Sequence, residues 1–90
     1  MDHVDESLAL HATPEMREAV RAQIVVAGLR TSHEIATALD LRHTLVVRML
    51  ERFAAVGAIR VMPEDNRSDA IMVDAYSLSE RFRDLDVQLW

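Results

Sequence analysis

Apolar residues recur at helical spacing three times along the chain, each time between residues that start or stop a helix. Met16, Val20, Ile24 and Ala27 share one face, with Arg17, Glu18 and Arg21 opposite. Thr13-Pro14 supplies the start, because a threonine oxygen accepts from first-turn amides and proline suits the first helical position. Gly28 supplies the stop as a left-handed cap. Thr31-Ser-His-Glu34 has the capping-box pattern, in which Thr31 and Glu34 each satisfy an orphan backbone donor, and Ile35, Ala36 and Leu39 form the buried face of the short helix it opens. Asp40 then occupies a turn position where left-handed backbone is tolerated better by aspartate than by most residues, and Leu41 anchors the turn. A longer helix runs from about Arg42 to Val56, with Val46, Met49, Leu50 and Phe53 inward and Gly57 closing it. At ~100° per residue, Thr44, Val47, Arg48, Glu51, Arg52 and Ala55 face away from the core, with Leu45 at its margin.

Beyond Gly57 the pattern changes. Ala58–Met62 and Ala70–Tyr76 are rich in β-branched residues and are separated by the turn-forming stretch Pro63–Asp69, which predicts an antiparallel hairpin. A last helix starts at Ser79, and Leu78, Phe82, Leu85 and Leu89 form a narrow stripe along it, with Val87 and Trp90 off the stripe. The expected fold is mainly α with a small β-hairpin: a three-helix core, a two-stranded wing and an extra C-terminal helix. Residues 1–12 read as an acidic, loosely held arm that folding does not need, 13–78 as the domain, and 79–90 as a C-terminal amphipathic helix.

Ninety residues, half of them apolar, suit one compact domain and exclude most large catalytic folds. The longest apolar run, Ile24–Leu29, is six residues against the ~20 that span a bilayer, so no membrane partner is expected. The acidic N-terminal stretch lacks the basic character of a secretory signal, which makes a cytoplasmic location the expectation. Cysteine is absent, His3, His11, His33 and His43 have no close ligand spacing, and Gly28 and Gly57 are too few for a phosphate-cradling loop. The serines lack a nucleophile elbow. Neither catalysis nor a metal or other cofactor is expected.

The net charge of −5 argues against a global attraction to nucleic acid, but the charge is uneven. Between residues 30 and 60, five arginines (Arg30, Arg42, Arg48, Arg52, Arg60) stand against three acids (Glu34, Asp40, Glu51). Both ends of the chain are acidic. Every lysine-or-arginine position is arginine, whose planar fork suits phosphate and guanine edges.

The order helix, short helix, tight turn, long helix and hairpin resembles a winged helix-turn-helix domain over residues 14 to 78. Thr31-Ser-His-Glu-Ile-Ala-Thr-Ala-Leu-Asp-Leu41 is similar to that superfamily's first helix and turn. Val46-Val-Arg-Met-Leu-Glu-Arg-Phe-Ala-Ala-Val-Gly-Ala-Ile59 resembles its recognition helix, closing glycine and first wing strand. Tyr76-Ser-Leu78 looks like the common exit from the second wing strand, an aromatic and a leucine folded back onto the core. The resemblance implies a small DNA-binding transcriptional regulator, reading a short operator with the helix 42–56 in a major groove. On that basis Arg42, His43 and Thr44 lie at a helix N-terminus that favours phosphate. Arg48 suits a guanine edge, Val47 or Leu45 a thymine methyl, and Ser32, His33, Arg52, Arg60 and Arg67 are candidate backbone contacts.

Two features favour a different use of the same fold. Leu45 and Val47 stand where short polar residues are usual, and Glu64, Asp65 and Asp69 surround Arg67 at the wing. The alternative is a protein-interaction module, an adaptor or inhibitor of a larger nucleic-acid-processing complex, that does not bind DNA itself. For a DNA reader, two half-sites ~34 Å apart require a symmetric homodimer, and Phe82, Leu85, Leu89 and Trp90 on the last helix are the candidate interface.

Overall fold

The computed structural model describes residues 13–64 and 67–84, apart from the side chains of 67–69. The N-terminal arm, and Leu85, Val87, Leu89 and Trp90 of the stretch expected to be helical, lie outside the described residues. The elements are α1 (Pro14–Val25), α2 (Ser32–Leu39), α3 (His43–Ala55), β1 (Val61–Glu64), β2 (Arg67–Val73), a 3-10 turn (Ala75–Ser77) and α4 (Glu80–Arg83). The protein is mainly helical, with one two-stranded antiparallel sheet. Among the described residues, no helix is long and apolar enough to cross a membrane.

Local chemistry sets the helix starts. The Thr13 hydroxyl accepts from the Met16 amide at 3.1 Å, with proline in the first turn of α1. Thr31 and Glu34 form the full capping box of α2. Bonds from the backbone amides of Thr31 and Arg30 hold the Glu34 carboxyl below the usual carboxylate range.

The two turns around α3 close alike. Asp40, at φ 54°, donates to Thr37 while Leu41 donates to Ala36; Gly57, at φ 79°, donates to Ala54 while Ala58 donates to Phe53. Both are Schellman-type closures, and Asp40 fills the left-handed position that glycine fills in the other.

Val20 and Ile24 from α1, Ile35 and Ala36 from α2, and Leu45, Val46, Met49, Leu50 and Phe53 from α3 form one core with Ala58, Ile59, Val73 and Phe82. Four expectations are corrected here. Arg21, read as outward, is buried at 3 % exposure. Ala27 is exposed because α1 ends at Val25, two residues before it. Leu45, placed at the margin, is in the core, since α2 and both hairpin strands pack on α3 and the covered arc is wider than the inward stripe. Phe82, expected at a dimer interface, is fully buried within its own chain, edge-on to Phe53 at 5.1 Å between ring centroids.

The hairpin also lies differently from expectation. Its register pairs Val61 with Val73, Met62 with Met72 and Pro63 with Ile71, then shifts so that Glu64 faces Arg67. The strands therefore reach into the stretch read as a loop, and Pro63, which cannot donate to a ladder, sits beside the irregularity. Ala58–Arg60 leave the ladder because other partners take their backbone groups. The Arg60 amide donates to the Ser77 hydroxyl, and the carbonyls of Arg60 and Ala58 accept from Asp74 and Ser79. On the other edge of β2, Thr31 bridges Met72 and the Val73 amide donates to Arg30 at 2.8 Å. The segment before α2 is thereby fixed to the hairpin, and α2 carries that constraint to α3.

Candidate functional site

The outward face of α3 exposes Thr44, Arg48, Glu51, Arg52 and Ala55, with Val47 half-buried among them. Thr44, Val47, Arg48 and Glu51 line a shallow open groove of about 300 Å³. The buried face of α3 fixes this arrangement, since Val46, Met49, Leu50 and Phe53 leave the opposite arc no choice of direction. Leu45, buried to 6 % exposure, is withdrawn from the thymine-methyl role considered for it.

The start of α3 is capped differently from the other helices. Side-chain oxygens of Thr13, Thr31 and Ser79 cap α1, α2 and α4. Arg42 caps α3 with no side-chain bond, and the first turn holds no acid. This helix start thus has a cation at its cap and no carboxylate in its own first turn.

Just inside that end, Ser32 is the residue that sequence reasoning misread. Its side chain is fully buried, so the expected phosphate contact is replaced by an internal one. Ser32 Oγ shares a 2.7 Å hydrogen bond with His43 Nε2 and accepts from the Ile71 amide at 3.2 Å. One hydroxyl therefore joins the first turns of α2 and α3 to strand β2. The His43 ring also stacks on His33, with centroids 3.7 Å apart and planes 15° from parallel. His43, expected as a DNA contact, is half-buried and has its Nε2 edge turned into the protein; His33 is half-buried too, with Nδ1 enclosed and unbonded. A signal for Ser32 did exist, because Ile35 and Ala36 lie three and four residues on and both are buried, so Ser32 shares their face.

Ser32→Ala should lower the unfolding free energy by about 1–3 kcal/mol, since it strips partners from a buried amide and an imidazole nitrogen. Urea denaturation measures the loss, and faster hydrogen exchange at the Ile71 amide locates it. Unchanged exchange at Ile71 would show that the hydroxyl bridge carries nothing.

The remaining candidates separate. Arg60 is exposed and its guanidinium pairs with Asp74 at 3.2 Å. Arg30 donates to the carbonyls of Ile24 and Leu29, closing the end of α1. The side chain of Arg67 lies outside the described residues. Tyr76, expected to fold back onto the core, is 95 % exposed, because the Asp74 carboxylate accepts from its amide and holds the 3-10 turn outward. Leu78, by contrast, packs against the core as expected. Among the described residues no group of three or more histidine, aspartate or glutamate side chains is placed to hold a metal ion. No family model, curated protein or solved structure matches the chain.

Proposed function

We propose that the chain is a small winged helix-turn-helix regulator that binds double-stranded DNA through α3. The observation that carries this reading is the outward face of α3. Thr44, Val47, Arg48 and Arg52 stand together there, behind a helix start that has an arginine at its cap and no acid in its first turn. Such an end attracts phosphate and positions the helix, while Arg48 and Val47 have the chemistry to read a guanine edge and a thymine methyl. The capped α2, the left-handed turn at Asp40 and the hairpin tied to Thr31 form an arrangement compatible with this fold. Two copies would read paired half-sites. With Phe82 in the core, contact between copies falls to Leu85, Leu89 and Trp90.

Fluorescence anisotropy with short duplexes tests the reading. Arg48→Ala should weaken binding to a preferred sequence by about 1–3 kcal/mol and relax preference at one base position. Arg52→Ala should weaken all sequences alike and reduce the log–log salt slope by ~1, as loss of a phosphate contact does. If both variants bind like the parent at low salt, α3 is not the reading element.

A second reading, the protein-interaction module, is favoured by Tyr76. This ring is almost wholly exposed and sits on a turn that Asp74 fixes beside Arg60, and tyrosine with arginine is a common pairing at the centre of protein interfaces. Salt-dependent retention on a DNA column separates the two. Elution at the same low salt as a neutral protein of this size favours the interaction module.

A further inference from the structure

We propose that Glu51 is a specificity residue of the same helix face, accepting a hydrogen bond from the exocyclic amine of a cytosine beside the guanine read by Arg48. The inference rests on the DNA-binding reading above and names which base that surface selects.

Glu51 is exposed and shares the groove with Thr44, Val47 and Arg48. No side-chain hydrogen bond or ion pair joins its carboxylate to a described residue, although Arg48 lies three residues before it and Arg52 directly after. An exposed ion pair at this spacing contributes little, so the carboxylate is open to a ligand donor. An unpaired carboxylate on a face turned to DNA opposes binding, because phosphate repels it. The cost is recovered only where the carboxylate meets a donor.

An ionised carboxylate is acceptor-only, which restricts the choice of base. In the major groove, guanine and thymine present it with acceptors, and adenine places the N7 lone pair next to its amine. Cytosine alone offers an amine with no acceptor beside it on the same base. Residues three apart on a helix lie ~4.5 Å apart along its axis, which puts Arg48 and Glu51 within the same or adjacent base pairs. A donor fork and an acceptor side by side match the guanine and cytosine edges and reject A·T pairs at that step.

Selection of bound oligonucleotides by the full-length parent, Glu51→Gln and Glu51→Ala tests this, with circular dichroism melts confirming that all three fold alike. The parent should select a motif containing a cytosine position, where each wrong base weakens binding by ~5- to 100-fold. Glu51→Gln should move that position toward adenine, because an amide pairs with the adenine N6 and N7 edge. Glu51→Ala should level it, leave the other positions unchanged and tighten binding to random duplex. A motif that both variants reproduce unaltered would overturn the role of Glu51 while leaving DNA binding intact. A parent that selects no motif at all would overturn DNA reading and this inference together.

Discussion

Phe82→Ala should lower the unfolding free energy by about 3–5 kcal/mol, the range for truncating a fully buried phenylalanine. The ring is fully buried, and it meets Phe53 at 77° between planes, the edge-to-face geometry that adds to area burial. A domain of this size is stabilised by about 5–10 kcal/mol in total, so the variant should melt on the order of 15–30 °C lower. The consequence also decides a question of assembly. A residue that served only a contact between copies would change the solution mass and leave the melting of the monomer alone. Thermal denaturation alongside light scattering distinguishes the two, and a loss below about 1 kcal/mol would remove Phe82 from the core. Phe82→Leu, which keeps much of the volume, should retain most of the stability.

The sequence made visible whatever depends on neighbours along the chain. Thr13, Thr31 and Ser79 accept from amides three residues on, and the left-handed turns at Asp40 and Gly57 are settled within a few residues by backbone conformation. The inward stripe of α3 is equally local, since Val46, Met49, Leu50 and Phe53 define it by period alone.

What the sequence concealed depends on distant partners. Leu45 is buried because α2 and both hairpin strands together pack on α3, and a helical period carries no information about how many elements will cover it. Ser32 meets Ile71 across thirty-nine positions of sequence, so its polar character suggested solvent where the fold supplies an internal donor, the Ile71 amide. Tyr76 was misjudged in the opposite sense: an aromatic after a strand predicts burial, but the Asp74 carboxylate fixes the turn with the ring outward. The outward face of α3 was legible for a simpler reason, since exposure there is the complement of a strongly patterned core.

Arg21 is the clearest case of a residue defined by long-range contacts, and its replacement should be the second large loss. The guanidinium is gripped by both oxygens of Glu18, at 2.7 and 2.6 Å, and donates to the carbonyls of Phe82 and Arg83 at 3.0 and 3.2 Å. The bond to Glu18, with that residue's charge and the charge of Asp84, outweighs burial and raises the Arg21 pKa above its ordinary value, so the group stays charged throughout the usable pH range. One side chain therefore ties α1 to the carbonyl end of α4, where a cation also complements the helix dipole. Arg21→Ala removes that cation and leaves a half-buried carboxylate and two carbonyls short of partners, which should cost about 3 kcal/mol. The partial exposure of Glu18, 30 % of its side chain, keeps the figure at the low end for a broken buried pair. Pairing Arg21→Met with Glu18→Leu should restore much of the stability, because well-packed apolar groups of similar volume replace such pairs at little cost. The route through α4 has its own signature. If Arg21 acts by holding Phe82 in place, the losses from Arg21→Ala and Phe82→Ala should fall short of additive by at least about 0.5 kcal/mol in a double-mutant cycle. Strict additivity would mean that α4 docks without the arginine and that Arg21 serves only Glu18.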